Sequence, residues 1–286
     1  TAQVGVRLEA LAEITAVKRE KQAAIVHDWQ NKWALEGSCG PRNAGMGYWD
    51  ELKRHYNALA REGIAVEFVD QNADLTGYGL VVVPMLYLLT DAFAKKLCAF
   101  AQNGGTVIVT YWSGVVDESD LCRLRDTPYG LTELLGLRRT EIDGMYDGET
   151  RRCMPAAGCT LPAAQASTLC EVATLNEKDP AEPLSLYDED YFAGHPAVAV
   201  HRYGKGCAYY LASRFDEAFY RAFYHDAAKE IGLSPAWPEA LPEGILAVRR
   251  GSFVFVQNCT EQPATVGNTV LERYRTAVWK GEDRIF

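Results

Sequence analysis

The sequence contains no long apolar run and no excess of basic charge. Its apolar stretches fall well short of the ~20 residues that a membrane-spanning helix requires. The chain carries 29 Lys and Arg residues against 38 Asp and Glu residues, which gives a formal net charge of −9. Nucleic-acid-binding proteins need a basic face to neutralise phosphates, and this balance argues against such a face. We therefore expect neither a membrane nor a nucleic acid as a partner.

Spacings typical of metal sites and of disulfide-rich proteins are also missing. No two of the five histidines lie at ligand spacing, and Cys153 and Cys159 have no matching pair downstream. No metal site is therefore predicted. The eight cysteines are scattered over 286 residues, and a chain of this length builds its core without disulfides. Free thiols and a reducing, cytoplasmic location are the expectation.

The first residues contain neither an initiator Met nor the apolar core of a signal peptide. Val4–Val17 places apolar residues three and four positions apart, which predicts one amphipathic helix. We expect such a helix to pack against an upstream domain. The chain is therefore predicted to be a piece of a longer protein.

Signatures of cofactor binding and of nucleophilic catalysis are incomplete. Gly40–Gly47 is glycine-rich and precedes a helix, but it lacks the Lys-Ser/Thr of a phosphate-binding loop, so no cofactor is predicted. Ser113 follows a predicted strand, where glutaminase-like proteins carry their nucleophile, but the glycine two residues before it is missing. A stand-alone glutaminase-like or small-molecule-binding α/β domain therefore stays an alternative without a favoured catalytic residue.

The sequence does contain an alternation of apolar strands with amphipathic helices. Strands are predicted at residues 22–29, 64–69, 79–86 and 106–111, with helices at residues 48–62 and from Thr90 to a stop at Asn103. This alternation with short connections predicts a parallel sheet with helices on both faces. There are too few units to close a barrel. The expected fold is α/β and flavodoxin-like, as in class I glutaminase-like domains.

Weaker patterns cover the rest of the chain. They predict a long loop at 30–47, a short helix at 130–137, an irregular segment at 140–184, a hairpin at 198–211 and a helix at 215–231. Prolines then mark a linker. Short strands at regular spacing from Ile245 predict a small antiparallel β domain.

Aromatic and acidic residues gather where two predicted strands end. They are Asp28, Trp29, Trp33, Tyr111, Trp112, Asp117, Glu118 and Asp120. The carboxyl ends of parallel strands share one edge of a sheet, where function is usually found. Several exposed tryptophans on one edge would be costly, so a subunit interface is predicted there. The three acids close together are more typical of a helix cap or a solvated rim than of a catalytic pair.

Three separated stretches carry a resemblance to a known family. They are His27–Glu36 (HDWQNKWALE), Gly79–Tyr87 (GLVVVPMLY) and Gly104–Asp120 (GGTVIVTYWSGVVDESD), continued by Gly130–Gly136 (GLTELLG) and Glu141–Asp143 (EID). In this order they resemble the trimerisation domain of family-42 glycoside hydrolases, the bacterial β-galactosidases. The resemblance covers roughly residues 22–233. The tail from Ile245 resembles the small C-terminal β domain of the same enzymes.

The resemblance implies a retaining β-galactosidase that acts on terminal β-D-galactosides through two glutamates of an N-terminal barrel. No barrel is present, and Asn176-Glu177 lies in a polar loop, so no catalytic residue is assigned. The implied domains are a residual barrel helix at 1–21, a trimerisation domain at 22–234 and a β domain at 243–286. The implied role is non-catalytic assembly of a homotrimer, with the galactoside bound only through the missing barrel. The eight residues named above are expected at the interface or at the rim of a neighbour's active site.

Overall fold

The computed structural model describes residues 2–18, 20–38, 40, 45–124, 127–239, 241–281 and 283–286. The chain begins with helix α1 (Ala2–Ala10), followed by a short 3-10 helix (Ala12–Ala16). The prediction of one continuous helix over Val4–Val17 is therefore wrong. Leu11 between the two segments takes φ −102° and ψ 6°, outside the α-helical region. No described helix is long and apolar enough to cross a membrane.

The first half of the chain forms the parallel part of the main sheet. Its strands are β1 (Ala23–Val26), β2 (Val66–Val69), β3 (Leu80–Val83) and β4 (Thr106–Thr110), in the order β2-β1-β3-β4. All neighbouring pairs are parallel. Strands β1, β3 and β4 are buried at every position, so both faces of this part of the sheet are covered. The four predicted strands are confirmed.

Three helices connect these strands. They are α2 (Trp29–Gly37), α3 (Tyr48–Arg61) and α4 (Asp91–Gln102). Helix α3 buries Leu52, His55 and Leu59 on one stripe, and Gly63 after it takes φ +67°, as a helix stop requires. Helix α4 starts at Thr90, whose Oγ1 accepts a hydrogen bond from the Phe93 amide at 3.2 Å. The predicted helices in these two places are confirmed.

The predicted long loop at residues 30–47 is wrong, because its first part is helix α2. This helix buries only Asn31 and Leu35, so it lacks the apolar stripe from which a helix is recognised. Asp28 starts it by accepting hydrogen bonds from two amides at the N-terminus. Half of the glycine-rich stretch Gly40–Gly47, residues 41–44, lies outside the described residues.

The second half of the chain extends the same sheet with antiparallel strands. They are β5 (Leu137–Gly144), β6 (Thr150–Pro155), β7 (Ala164–Leu175), β8 (Glu182–Tyr187), β9 (Pro196–Tyr203), β10 (Gly206–Leu211) and β11 (Ser213–Phe215). The sheet runs β11-β7-β6-β8-β9-β10-β4, with β5 paired to β7. Strand β10 returns parallel to β4. Helices α5 (Thr132–Leu135) and α6 (Glu217–Ile231) complete this half.

The prediction of an irregular segment at 140–184 is wrong, because four strands occupy most of it. Strand β6 shows the cause, since only Cys153 of its six residues is buried. A strand buried on one side carries few apolar residues, and its period of two is easily missed. The hairpin of β9 and β10 and the long helix α6 are confirmed as predicted.

The C-terminal residues form two small antiparallel sheets. One contains β12 (Ile245–Arg250), β13 (Phe253–Asn258), β16 (Thr276–Lys280) and β17 (Asp283–Arg284), and the other β14 (Ala264–Val266) and β15 (Thr269–Leu271). They enclose a hydrophobic cluster of their own, which includes Ile245, Val256 and Ala277. The predicted short antiparallel strands are confirmed. Lys280 also binds Glu13 at 2.9 Å, which ties this part to the N-terminal segment.

Candidate functional site

Strands β1, β3 and β4 end side by side, and we call the edge formed by the residues after them the carboxyl edge. Asp28 lies there and starts helix α2. Its Oδ1 accepts hydrogen bonds from the amides of Gln30 at 2.9 Å and Asn31 at 3.2 Å. Its Oδ2 accepts one from Gln71 Nε2 at 3.2 Å. Asp28 is thus a helix cap rather than a free carboxylate.

Helix α2 is anchored on the segment that follows β3. The buried Asn31 side chain donates to the Met85 carbonyl at 3.1 Å and accepts from the Leu88 amide at 2.9 Å. These two hydrogen bonds replace the backbone partners that the segment after β3 lacks. The position of α2, and of the tryptophans on it, is therefore fixed by a buried amide rather than by apolar packing.

Three tryptophans and a histidine form an exposed aromatic cluster, which we call the tryptophan cluster. Trp29, Trp33 and Trp49 are 54%, 62% and 43% exposed. The ring centroids of Trp29 and Trp33 lie 6.2 Å apart, and those of Trp29 and Trp49 lie 5.9 Å apart. His27 stacks on Trp49 at 4.8 Å, and burial lowers its pKa. Contiguous exposed aromatic surface of this kind marks a binding face.

Trp112 is buried, in contrast to the cluster. Its backbone takes φ +58°, a region that non-glycine residues seldom occupy. The Glu171 carboxylate accepts a hydrogen bond from the Trp112 amide at 3.0 Å. Arg139 Nη1 donates to the same oxygen at 2.7 Å, and the Tyr210 hydroxyl donates to the other oxygen. A buried charged pair thus holds the left-handed turn in place.

The indole of Trp112 lies between two neighbours. It stacks on Tyr87 with ring centroids 5.6 Å apart and an interplanar angle of 24°. On another side, a Cβ added at Gly40 would lie only 2.3 Å from Trp112 Cζ2. Burial and the nearby Asp120 carboxylate raise the pKa of Tyr87 to about 12. Trp112 and the acidic loop are therefore brought together through Tyr87.

We define the acidic loop as residues 117–124. Asp117 accepts hydrogen bonds from the amides of Ser119 at 2.8 Å and Leu121 at 3.1 Å, and the Leu121 and Ser119 amides lower its pKa. This carboxylate thus organises a turn. The loop also presents Leu121 and Leu124, which are 64% and 93% exposed. It therefore offers apolar surface as well as charge.

The ion pairs made by the acidic loop are exposed to solvent. Glu118 lies 3.9 Å from Arg123, which binds Asp91 at 2.6 Å. Exposed pairs of this kind contribute little to stability. Glu118 is thus available to a partner without disturbing the fold.

Tyr111 belongs to a different, buried network. Arg214 donates to the Tyr111 hydroxyl at 3.0 Å and to Glu51 at 2.9 Å. Tyr220 donates to Glu51 at 2.6 Å, and His55 Nε2 lies 3.3 Å from the same carboxylate. Burial by itself raises the pKa of Glu51, but the contact and charge of His55, together with the charge of Arg214, hold it at about 2.

The same arginine anchors the chain just before α3. Arg214 donates to the carbonyl of Met46, and its Nη2 lies 3.5 Å from the carbonyl of Gly47. Glu51 and Arg214 thus hold the last residues of the connection between α2 and α3 in place. Trp49 of the tryptophan cluster lies within this fixed region.

Ser113 does not have the surroundings of a nucleophile. It is fully buried, and its Oγ accepts a hydrogen bond from the Leu86 amide at 3.0 Å. No histidine among the described residues hydrogen-bonds to it. The described residues also contain no group of His, Cys, Asp or Glu placed to hold a metal ion.

The eight residues singled out from the sequence fall into three groups. Asp28, Trp29 and Trp33 lie on or beside α2. Trp112 meets the acidic loop, which carries Asp117, Glu118 and Asp120, whereas Tyr111 points into the Glu51 network. Sequence reasoning left out the exposed leucines, although leucines in an acidic loop are a readable signal. It also missed Glu51 and His55, which stand out as polar residues four apart on an otherwise apolar stripe.

Comparison with known proteins identifies the family. A family model described as the β-galactosidase trimerisation domain matches residues 21–234. The chain is 43% identical over 270 residues to the β-galactosidase BglY of Alicyclobacillus acidocaldarius, covering 92% of this chain and 39% of that protein. It is 34% identical over 287 residues to the β-galactosidase GalA of Bacillus licheniformis, covering 98% and 42%. The chain thus spans about two fifths of the length of these relatives.

Solved structures agree with this assignment. The β-galactosidase of Rahnella sp. R3 superimposes with a TM-score of 0.86 at 40% identity, covering 98% of this chain and 43% of that one. The β-galactosidase of Bacillus circulans sp. alkalophilus gives a TM-score of 0.85 at 28% identity, with the same coverage of 98% and 43%. The chain belongs to the family-42 β-galactosidases, and residues 21–234 are their trimerisation domain.

Proposed function

We propose that this chain is the part of a β-galactosidase through which subunits associate, and that it carries no catalytic residue. The observation that carries the proposal is the tryptophan cluster, which leaves three large aromatic side chains exposed at the carboxyl edge. Aromatic residues are enriched in the buried centres of subunit interfaces. Hydrolysis of terminal β-D-galactosides then belongs to the part of the longer relatives that this chain does not span.

The proposed assembly is a homotrimer. A cyclic trimer requires a heterologous interface, in which two different surfaces of each subunit meet. The carboxyl edge presents two different surfaces, the tryptophan cluster and the acidic loop with Leu121 and Leu124. We propose that the tryptophan cluster of one subunit meets the acidic loop of its neighbour, and that both surfaces are buried between subunits.

The eight candidate residues then have distinct roles. Trp29 and Trp33 contact the neighbouring subunit, and Asp28 holds the helix that presents them. Glu118 and Asp120 lie at the polar rim of the interface or of a neighbour's active site, beside the turn made by Asp117. Tyr111 and Trp112 are buried in their own chain and support the edge from beneath.

The finer fold assignment is part of the same proposal. The parallel strands follow the order β2-β1-β3-β4-β10, which is the order 2-1-3-4-5 of flavodoxin-like sheets. This order supports a flavodoxin-like core to which the antiparallel strands were added. The domain bounds 1–21, 22–234 and 243–286, the cytoplasmic location and the absence of nucleic acid and membrane partners likewise remain predictions.

The alternative of a glutaminase-like or small-molecule-binding domain has less support. It needs a reactive nucleophile after β4, and Ser113 is buried with its Oγ engaged by a backbone amide. A nucleophile must be exposed to substrate and close to a base. The environment of Ser113 therefore favours the assembly role.

The test is the solution mass of the chain by light scattering over a range of concentrations, beside an assay with a chromogenic β-galactoside. We expect a trimer without hydrolysis. The double variant Trp29→Ala, Trp33→Ala removes two interface side chains, and we expect its dissociation constant to rise at least about 30-fold. Tyr274→Ala, a control at a 63% exposed aromatic residue of the C-terminal part, leaves the mass unchanged. A monomeric intact chain, an unaffected double variant or hydrolysis by the chain would contradict the proposal.

A further inference from the structure

A cleft of about 640 Å³ lies at the opposite edge of the main sheet. Its lining residues include Glu133, Arg138, Asn176, Glu177, Asp179 and Tyr203. Tyr203 ends β9 and pairs with Gly206 at the start of β10, which places the cleft at the amino edge of the parallel strands. No residue of the carboxyl edge lines this cleft.

One wall of the cleft is fixed by backbone hydrogen bonds. The amides of Asn176 and Ala181, at the two ends of the loop 176–181, both donate to the Gly136 carbonyl at 3.0 Å. The Asn176 side chain also donates to the Thr132 carbonyl at 2.9 Å. Both ends of the loop are therefore held by the Gly136 carbonyl in the absence of a ligand. Such preorganisation lowers the entropic cost of binding.

A buried histidine behind this wall lies close to a carboxylate of the cleft. His201 is 3% exposed, and its Nδ1 lies 3.0 Å from the Leu134 carbonyl. Since a carbonyl only accepts, the Nδ1 that faces it carries a proton. Nε2 has no hydrogen-bond partner among the described residues, although the Asp179 carboxylate of the cleft lies 3.3 Å away. The contact with His201 places the Asp179 carboxylate at this wall, where it can accept a hydrogen bond from a ligand hydroxyl.

The charges of the lining indicate the class of ligand. Three carboxylates stand against two cations, from Glu133, Glu177, Asp179, Arg138 and Lys178. This balance disfavours an anion, and the described residues contain no metal-holding group. An apolar ligand would leave the many polar groups unpaired. A neutral polyhydroxylated molecule can use the carboxylates as acceptors and the Arg, Lys and Asn side chains as donors.

The volume of the cleft and the aromatic ring of Tyr203 also fit a neutral polyhydroxylated ligand. A volume of about 640 Å³ lies within the range of small-molecule sites. Tyr203 is partly exposed and offers an apolar ring face with a polar end. Such a face packs against the C–H groups of a sugar ring while polar side chains bind its hydroxyls.

We propose that this cleft binds a neutral saccharide at a site separate from the carboxyl edge. Its occupancy does not require the proposed trimer, because no residue of the cleft lies at the carboxyl edge. The binding of saccharide and the mass of the assembly can therefore be measured independently.

The experiment is titration of the chain with D-galactose and with lactose, followed by calorimetry and by ligand-observed NMR. We expect saturable binding of at least one of them. Arg138→Ala removes an exposed charged donor of the cleft, and we expect it to weaken binding at least about tenfold. Arg273→Ala, at an exposed arginine of the C-terminal part, is the matched control and leaves binding unchanged.

D-Galacturonate tests the class of ligand, since its carboxylate meets the negative lining and should bind more weakly than D-galactose. Tighter binding of galacturonate would contradict the assignment to a neutral saccharide. Absence of saturable binding of both sugars, or binding that survives the double variant Arg138→Ala, Asp179→Ala, would overturn the proposal. Both substituted residues are exposed, and the unfolding midpoint of each variant checks that the fold is retained.

Discussion

At the scale of single residues, two fully buried carboxylates determine the shape of the carboxyl edge. Glu51 and Glu171 are both 0% exposed, and each is paired with an arginine and a tyrosine. A buried charge is tolerated only when it is paired and fully hydrogen-bonded. Each pair also holds irregular backbone, the turn at Trp112 in one case and the segment before α3 in the other.

Breaking one of these pairs should be costly. In Glu171→Gln the amide still accepts from the Trp112 backbone, but Arg139 keeps a buried charge without a counter-charge. We expect a loss of about 3 kcal/mol in the free energy of unfolding, measured by urea denaturation. Asp188→Asn breaks the exposed pair with Arg152, at 2.6 Å, and should cost less than about 1 kcal/mol. Equal losses in the two variants would show that burial is not the cause.

Gly136 is another residue whose substitution should destabilise the fold. It takes φ +62°, and an added Cβ would lie 2.6 Å from His201 Cδ2 and 2.7 Å from the Ala181 nitrogen. Gly136→Ala combines backbone strain with a clash, so we expect a loss of at least about 2 kcal/mol in unfolding free energy.

Gly232→Ala is the matched control for Gly136→Ala. Gly232 takes φ +75° with no atom within 4 Å of the added Cβ, so its replacement measures backbone strain alone, about 1 kcal/mol. The difference between the two urea midpoints therefore reports the clash. Coincident midpoints would mean that the His201 side chain shifts to make room for a methyl group at residue 136.

At the scale of elements, helix α2 joins the fold to the proposed interface. It has two anchors, the Asp28 cap and the buried Asn31 amide, and two exposed tryptophans. Helices of this length are marginal without caps and tertiary contacts. The position of Trp29 and Trp33 therefore depends on polar hydrogen bonds at its first turn.

Asp28→Ala should weaken both stability and self-association. Loss of the cap costs about 1 kcal/mol, and fraying of the first turn displaces Trp29, so the association constant measured by analytical ultracentrifugation should fall. Asp28→Asn keeps a good capping residue and should restore association. Asp216→Ala removes the cap of α6, whose carboxylate accepts from the Phe219 amide at 3.0 Å, and should lower stability only. A loss of association in Asp216→Ala as large as in Asp28→Ala would contradict this role.

At the scale of the whole molecule, the main sheet combines parallel and antiparallel halves. The Glu51 network joins them, since Glu51 lies on α3 while Arg214 and Tyr220 lie on β11 and α6 of the second half. Its ionisation is thus coupled to global unfolding.

The pH dependence of stability follows from this coupling. The folded pKa of Glu51 is about 2, against a reference value of 4.5. A lowered folded pKa means that its contribution, about 3 kcal/mol, is present above about pH 5 and is lost as pH falls toward 2. Urea unfolding across this range should show stability falling with acid, less steeply in Glu51→Gln. Identical slopes in the two proteins would mean that another group titrates.

Much of the fold could be predicted because its signals are local. Strands β1, β3 and β4 are buried on both faces, so they appear as continuous apolar runs. The second half could not be predicted in the same way. Strands such as β5 and β6 carry charged and polar residues on an exposed side, so they lack the continuous apolar runs of the core strands.

The candidate site divides in the same manner. The sequence by itself determined the parallel core, the C-terminal β strands and the family, because apolar runs and motif order need no knowledge of contacts. Only the tertiary structure decided which tryptophans are exposed. Trp112 is covered by Tyr87 and by the chain at Gly40, whereas Trp29 and Trp33 lie on the outer side of a helix held by Asp28 and Asn31. The indole is the same in each case, and its burial depends on neighbours that residues distant in the chain supply.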